Sequence, residues 1–359
     1  MEKILNNRIP SLDGLRAISI LMVVFGHAFK GYFKLIDIAN LGVRIFFIIS
    51  AYLIVGILYR DVNANKFSIK TFYFKRLIRT FPAFYGYLIV VVIVLMYFKM
   101  FQWEQFWRAP IYLENYHPRS LWNNNQWFVG HTWSLAVEEQ FYVLIALMFM
   151  LFNKKVISYN QIFKIFFAII LIAPLIRVSY LFVQTIPNVF RGSLHRSFET
   201  VADSLAMGGI LALIAKEKIF NSKVFKYLKN KILVLILMLF LFQMLNSSLL
   251  VEIFGLKIRY FYNFLGLTII NCIIVLLIFI LINIDKASKF YIFFNNPILK
   301  TIGLWSYSIY LWQQIWLYSW NIPLYLKFIG IISSSVISYY LIEKKFLSWR
   351  DEYLKKETK

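Results

Sequence analysis

The amino-acid sequence predicts an all-α, polytopic membrane protein with about ten transmembrane helices around a polar core. Of its 359 residues, 60% are hydrophobic, and the mean hydropathy is +0.65. The apolar residues are gathered into many runs close to the roughly 20 residues that cross the hydrocarbon core of a bilayer. A soluble protein of this length would not sustain that pattern.

Charge and cysteine content exclude several other classes of protein. The formal net charge is +22, but the Lys and Arg residues lie in short connections between apolar runs, which the positive-inside rule explains without nucleic acid. The single cysteine, Cys272, lies in an apolar run, so neither an intrachain disulfide nor a cysteine-based metal site is expected. The four histidines have no metal-ligand spacing, and no metal is predicted.

Ten stretches are predicted to span the membrane: 14–33, 38–59, 81–101, 131–152, 162–183, 198–216, 232–251, 262–284, 300–319 and 323–343. The first has no small-residue cleavage site and is expected to be retained rather than removed as a signal peptide. An even number of spans places both termini on one side. The connections after the even-numbered spans are the richest in Lys and Arg, so both termini are predicted to be cytoplasmic.

The first span carries three ionisable residues that an apolar helix would normally avoid. Asp13 and Arg16 lie near its start, and His27 lies deeper. At about 100° per residue, Arg16 and His27 are close to three full turns apart, and Asp13 falls within about 40° of the same line. Arg16 alone could be a snorkelling cation and His27 alone a satisfied interhelical group. Together, on one face, they predict a functional site with His27 as a general base.

Arg76 and Arg79 lie three residues apart at the start of the third span, so they share one side of a helix. One interpretation is a cytoplasmic anchor that obeys the positive-inside rule. The other is a clamp for phosphate groups, which Arg binds bidentately. Spacing alone favours neither.

A third group of polar residues begins the fourth span. Ser134, Glu138 and Tyr142 recur every four residues and lie along one side of a helix. A single carboxylate could stabilise a helix start, but the adjacent pair Glu138 and Glu139 is followed by an apolar run. These residues are therefore predicted to form a buried polar core.

Other ionisable residues lie within predicted spans, and Asp203 is assigned to the same polar core. Gly208 and Gly209 follow Asp203 and predict close helix approach around this carboxylate, with Arg177 or Arg44 as its charge partner. The remaining members of this set are Glu199 and Glu343.

The connection at about 102–130 is rich in aromatic residues. It reads either as an interfacial aromatic belt, the favoured interpretation, or as a platform on which a sugar stacks. The aromatic residues concerned are Trp103, Trp107, Tyr112, Tyr116, Trp122 and Trp127.

At this point the chain resembles the acyltransferase 3 family of bacterial membrane O-acyltransferases. The resemblance covers nearly the whole chain, from residue 8 to about 346, and its five motifs occur in order. They are 8–17 with His27, 42–54, the Arg76 and Arg79 pair, 133–142, and 306–312.

The resemblance implies transfer of an acyl group, usually acetyl from cytoplasmic acetyl-CoA, to a glycan hydroxyl at the outer face. It implies that His27 is the catalytic base with Arg16 as its partner, and that Arg76 and Arg79 contact the phosphates of coenzyme A. Glu138 and Tyr142 would belong to the shared polar core.

Three positions depart from the family pattern. Ala51 stands where Gly is usual, Gln313 where His is frequent, and Lys345 where Pro is common. No catalytic role is therefore placed on Gln313. The sequence also lacks the appended extracytoplasmic domain of longer relatives, which favours direct action on the glycan.

The resulting prediction is a bacterial inner-membrane O-acetyltransferase, with a transmembrane domain over 1–346 and a basic cytoplasmic tail over 347–359. Its partners are acyl-CoA, the lipid bilayer and a cell-surface glycan such as lipopolysaccharide O-antigen, and a homo-oligomer is compatible with the sequence. Direct transfer and a transient acyl-enzyme both remain open. The rival interpretation is an exporter of a lipid-linked saccharide or anion, for which an internal repeat with broken helices would be expected and is not seen.

Overall fold

The computed structural model describes residues 10–29, 31–32, 35–118, 128–182, 194–216, 227–228, 230–319 and 321–357. Within these residues the regular structure is entirely helical, which confirms the predicted all-α fold. The α-helices are α1 Pro10–Ala28, α2 Ile38–Asn63, α3 Ile69–Tyr97, α4 Trp103–Phe106, α5 Trp133–Asn153, α6 Tyr159–Phe182, α7 Phe198–Lys216, α8 Ile232–Met244, α9 Ser248–Phe254, α10 Leu256–Phe261, α11 Leu267–Asn283, α12 Lys289–Phe294, α13 Pro297–Ser319, α14 Leu324–Ser338 and α15 Lys344–Glu357.

The described residues also include two short 3₁₀ helices and two π-helical segments. The 3₁₀ helices are Glu114–Tyr116 and Gly130–Thr132. The π-helical segments are Tyr262–Gly266, which joins α10 to α11, and Tyr339–Glu343, which joins α14 to α15.

Eight helical stretches in the described residues are long and apolar enough to cross a membrane, and a ninth is bent. The predicted seventh span, 232–251, is not one straight helix, because α8 and α9 meet at an angle of 70°. The predicted ninth span is helical as α13. Because it contains Ser, Tyr and Gln residues, it is less apolar than the eight helices above and is not counted among them. The polytopic fold is confirmed, but the individual spans differ in straightness and polarity.

The last apolar helix is longer than predicted. Residues Leu324–Lys356 form a stretch of 33 helical residues, about 50 Å at 1.5 Å per residue, whereas a bilayer core is about 30 Å thick. The segment predicted as a basic tail is therefore helical as far as Glu357.

The chain divides into two compact units. The first unit comprises Met1–Asn65, Leu147–Thr185 and Ser197–Leu304, and the second comprises Lys66–Ala146, Ile186–Arg196 and Trp305–Lys359. The core of the first unit is built from aliphatic residues of α1, α2 and α11, among them Leu15, Ile48 and Ile274. The core of the second unit is more aromatic and includes Phe84 and Tyr87 of α3.

Glycines allow the helices of the first unit to approach closely. A Cβ built on Gly208 of α7 would lie 2.9 Å from the Cβ of Ala51 on α2 and closer still to the carbonyl of Ile48. The absence of a side chain at Gly208 therefore makes room for Ala51, which confirms the close approach predicted beside Asp203. Gly42 of α2 packs in the same way on the backbone of Ser19 in α1.

Candidate functional site

The three ionisable residues of the first span all lie on α1. This helix runs without a break from Pro10 to Ala28, so the angular relation predicted for Asp13, Arg16 and His27 applies. All three side chains are half-buried. The start of α1 is tightly packed, because a Cβ at Gly303 of α13 would collide with the backbone carbonyl of Asp13. The structure confirms the helix that carries these groups, and their catalytic roles stay predictions.

Arg76 of α3 is held by residues of α5 within the second unit. Its Nη2 donates a hydrogen bond to the hydroxyl of Tyr142, and that hydroxyl donates to Oε2 of Glu138 at 2.7 Å. The guanidinium also lies 3.5 Å from Glu138 and 3.7 Å from Glu139. Three of the four residues predicted for the polar core of α5 therefore surround one arginine.

Two residues complete this cluster. The hydroxyl of Thr80 lies 3.3 Å from Oε1 of Glu139, and the hydroxyl of Tyr307 on α13 donates to the carbonyl of Thr80 at 2.9 Å. The side chains of Arg76, Glu138 and Glu139 are each exposed by only 13–16%. One guanidinium thus faces two carboxylates in a mostly enclosed setting.

Arg79 has a different environment from Arg76, although the sequence assigned both to one clamp. It lies one helical turn further along α3 and its side chain is exposed. Arg76 faces carboxylates, which repel a phosphate, whereas the side chain of Arg79 is exposed. The two arginines therefore differ in their electrostatic environment.

Ser134 contacts α13 rather than Arg76. Its hydroxyl is 2.7 Å from the hydroxyl of Tyr310 on α13, and Tyr310 in turn donates to the carbonyl of His131. The backbone N–H of His131 donates to Gln314 at 3.1 Å. These contacts hold the start of α5 against α13, and the charge of Glu138 also acts on the hydroxyl of Tyr310.

Asp203 forms a closed ion pair within the first unit. Its Oδ2 accepts from Nη1 of Arg177 at 3.0 Å and from the hydroxyl of Thr268 at 2.8 Å, and both charged side chains are fully buried. Arg177 also donates to the carbonyl of Asn263 at 2.7 Å and to that of Thr200 at 2.8 Å. The predicted charge partner of Asp203 is therefore Arg177 rather than Arg44.

One of these partners lies in a π-helical turn. A π-helix has i→i+5 hydrogen bonds in place of the regular i→i+4 bonds. Asn263 lies within the π-helical segment, and its carbonyl accepts from Arg177. Asp203 is thus held by Arg177 and Thr268 within the first unit.

A buried Glu–His pair in the connection between α3 and α5 was not predicted. Oε1 of Glu114 lies 3.9 Å from Nε2 of His117, and the two side chains are exposed by no more than 1%. Burial lowers the pKa of His117 to about 4, and the nearby Arg108 and Arg196 act in the same direction. The sequence signal was a Glu and a His three residues apart in a segment read only for its aromatic residues.

The aromatic residues of this connection do not form one surface. Tyr112 stacks on Phe81 and Phe84, with ring centroids 5.5 and 4.8 Å apart, and burial raises its pKa. Trp103 is 63% exposed. Trp122 and Trp127 lie outside the described residues, as do Arg8 and Ile9 of the first motif.

Comparison with known proteins places this arrangement in a family. Residues 9–342 match the family Acyl_transf_3, described as an acyltransferase domain. The chain belongs to the acyltransferase 3 family. This confirms the resemblance recognised in the motifs.

Several bacterial relatives of the family share most of this chain. An O-acetyltransferase, OatA, of Staphylococcus aureus (strain NCTC 8325 / PS 47) is 29% identical over 364 residues, covering 96% of this chain and 58% of the relative. A candidate O-acetyltransferase of Staphylococcus aureus (strain COL) is 28% identical over 387 residues, covering 96% of this chain and 59% of the relative. The peptidoglycan O-acetyltransferase OatA of Listeria monocytogenes is 28% identical over 231 residues, covering 57% of this chain and 34% of the relative.

The chain spans less than two thirds of the length of these curated relatives. No solved structure matches it significantly.

Proposed function

We propose that this protein is a membrane O-acetyltransferase that moves an acetyl group from acyl-CoA to a hydroxyl of a cell-surface glycan. The observation that carries the proposal is the match to an acyltransferase domain over 9–342 in a chain with at least eight apolar helices among its described residues. The names of the relatives as O-acetyltransferases support the acetyl group and the hydroxyl acceptor.

The proposed chemistry centres on His27 of α1. Neutral imidazole takes the proton of the glycan hydroxyl while the oxygen attacks the thioester carbonyl. The C–O bond forms, the C–S bond breaks, and the coenzyme A thiolate leaves and takes up a proton. Arg16, about three helical turns from His27 on the same face of α1, is proposed as its functional partner without direct contact. Both direct transfer and a transient acyl-enzyme are consistent with this role.

The donor contact is proposed at the start of α3. Coenzyme A carries phosphates that suit Arg side chains, and the exposed Arg79 is the better placed of the predicted pair. Arg76 would contribute to donor binding only indirectly, because its guanidinium already faces Glu138 and Glu139. This refines the prediction that both arginines bind the donor.

The acceptor is proposed as a glycan of the cell envelope. The Listeria relative is named for peptidoglycan, and lipopolysaccharide O-antigen offers the same hydroxyl chemistry. The protein is proposed to lie in the bacterial inner membrane with both termini cytoplasmic, because Lys and Arg are concentrated after the even-numbered predicted spans.

The test of the proposal is acetyl transfer by the purified full-length protein. Release of free thiol from acetyl-CoA is measured with and without a glycan acceptor for the wild type and His27→Ala. Loss of the general base should lower acceptor-dependent release by about 10²–10⁴-fold. His195→Ala, which removes another half-buried histidine, is the control and should retain activity.

Thiol release by His27→Ala at the wild-type rate would show that His27 is not the base. Mass spectrometry of surface glycans from cells with and without the protein then identifies the acceptor. No difference in alkali-labile acetyl esters would contradict the acetyltransferase assignment as a whole.

A further inference from the structure

Arg44 is a buried cation whose direct partners are neutral. It lies in the second turn of α2 and is 2% exposed, so it does not reach the aqueous phase as a snorkelling side chain would. Its Nε donates to Oδ1 of Asn40 at 2.8 Å, and its Nη1 donates to Oδ1 of Asn271 on α11 at 3.2 Å. Both acceptors are amide oxygens, which carry no formal charge.

The buried charges of the first unit do not balance. Its fully buried ionisable side chains, among the described residues, are Arg44, Arg177 and Asp203. Asp203 is hydrogen-bonded by Arg177 and Thr268, and its charge also acts on Arg44 without contact, so a single carboxylate faces two guanidinium groups. Arg does not lose its proton in proteins, so one positive charge is left over in the interior, where an uncompensated charge is strongly destabilising.

The nearest acidic residue on the same helix does not remove this surplus by contact. Asp37 is the N-cap of α2, and its carboxylate accepts from the backbone N–H of Asn40 at 3.0 Å. Its side chain is exposed, so its charge is largely screened by solvent. Arg44 is held by Asn40 and Asn271 rather than by this carboxylate.

Two buried hydrogen-bond donors of the same cluster point to the missing partner. Nη2 of Arg44 and Nδ2 of Asn271 are buried and have no hydrogen-bond acceptor in the part of the chain that the structure describes. Asn271 is fully buried. Its Oδ1 accepts a hydrogen bond from Arg44, so its amide nitrogen is the group without an acceptor. Two unsatisfied donors beside a surplus positive charge favour an acceptor that is negative.

We propose that Arg44 and Asn271 form a binding site for a small inorganic anion of the chloride class. The anion would accept from Nη2 of Arg44 and Nδ2 of Asn271 and neutralise the buried guanidinium. A water molecule satisfies hydrogen bonds but leaves the charge, and a cation is repelled by both donors. The site would fasten α2 to α11 and is independent of the acetyl-transfer proposal.

Chloride-dependent stability tests the site, because a ligand that binds only the folded state raises its stability by mass action. The unfolding temperature of the purified full-length protein is measured in a neutral detergent. Chloride is replaced stepwise by gluconate, a much larger anion, at constant ionic strength. The wild type should unfold at a higher temperature in chloride, with a saturating dose dependence.

Asn271→Asp is the decisive variant, because it places a carboxylate of nearly the same shape against Arg44. It should lose the chloride dependence and be at least as stable in gluconate as the wild type in chloride. Asn283→Asp makes the same substitution at an exposed position of α11 and should keep the wild-type response.

Arg44→Gln provides a second variant if Asn271→Asp does not fold, because it removes the surplus charge and should also abolish the response. Equal unfolding temperatures of the wild type in chloride and gluconate would overturn the proposal. A chloride response retained by Asn271→Asp or by Arg44→Gln would do so as well.

Discussion

At the scale of single residues, Arg76 and Arg79 show how the setting of a side chain decides what it can do. They have the same chemistry and share one side of α3. Arg76 is enclosed with Tyr142, Glu138 and Glu139, whereas Arg79 is exposed. We therefore expect one arginine to contribute mainly to stability and the other to ligand binding.

Arg79→Ala should weaken donor binding with little effect on stability. Loss of a charged hydrogen bond costs about 1.5–3 kcal/mol, so the KM for acetyl-CoA should rise by roughly tenfold or more. An exposed substitution changes the free energy of unfolding by only about 0.5 kcal/mol. Steady-state kinetics and detergent-phase unfolding of one preparation measure both quantities.

Arg76→Ala should instead destabilise the protein by about 3 kcal/mol, because it leaves two adjacent, mostly buried carboxylates without their cation. The measurement is unfolding in increasing sodium dodecyl sulfate. Adding Glu138→Gln and Glu139→Gln to this variant removes the two unpaired negative charges and should restore part of the stability. Identical behaviour of the two arginine variants would contradict this division of roles.

Because the buried imidazole of His117 has a lowered pKa, the folded protein is expected to lose stability in mild acid. The unfolded imidazole has a pKa of about 6.5, and burial lowers the pKa of His117 in the folded protein to about 4. As the pH falls from 6.5 to 4, the unfolded state takes up a proton that the folded state does not. The hydrogen bond between Nδ1 of His117 and the carbonyl of Pro118 opposes this lowering of the pKa but is outweighed by burial.

The stability of the wild type should therefore fall between about pH 6.5 and 4 by more than that of His117→Gln. Unfolding temperatures of both proteins across this range give the comparison, and carboxylates that titrate elsewhere cancel in the difference. Parallel curves would mean that His117 titrates as it does in the unfolded chain.

At the scale of helices, the contact between α2 and α7 depends on the size of single side chains. Gly208 faces the backbone of Ile48 and the side chain of Ala51. Gly56 lies in the same helix pair, but a Cβ there would be 4.0 Å from Ala212. The two glycines therefore form a matched pair for testing how closely α2 and α7 must approach.

Gly208→Ala should destabilise the protein by about 1–3 kcal/mol, since α2 and α7 must separate to admit the methyl group. Gly56→Ala should be neutral or stabilising by up to about 1 kcal/mol, because Ala favours the helix more than Gly does. Unfolding in sodium dodecyl sulfate compares the two. Similar losses for both variants would show that helix separation is not the cause.

At the scale of the whole molecule, the distribution of basic residues predicts the orientation in the membrane. The single native cysteine, Cys272, can be replaced by Ser to give a cysteine-free chain. In intact cells, an impermeant maleimide should then label Tyr32→Cys and Lys257→Cys. It should label Lys155→Cys and Lys355→Cys only after permeabilisation, since these positions are predicted to be cytoplasmic.

The opposite labelling pattern would invert the orientation. Labelling of both Tyr32→Cys and Lys355→Cys from outside would require an even number of spans between them, instead of the nine that are predicted. The experiment therefore also tests whether the bent pair α8–α9 and the polar helix α13 cross the membrane, which length and hydropathy leave undecided.

Hydropathy and periodicity predicted most of the helices, because both are local properties of the chain. The stretches 38–59 and 198–216 correspond closely to α2 and α7. The bend of 70° between α8 and α9 was missed, since Asn246 and Ser247 interrupt the helix within an otherwise apolar stretch. The extension of α3 back to Ile69 was missed because its first turns are basic.

The sequence by itself determined the membrane class, the family motifs and the identity of the polar residues within the spans. Only the tertiary structure decided the partners of those residues. Arg177 rather than Arg44 pairs with Asp203, Arg44 meets Asn271, and Glu138 meets Arg76 instead of Ser134. The physical reason is that these contacts join residues far apart in the chain, and helix packing rather than local periodicity brings them within bonding distance.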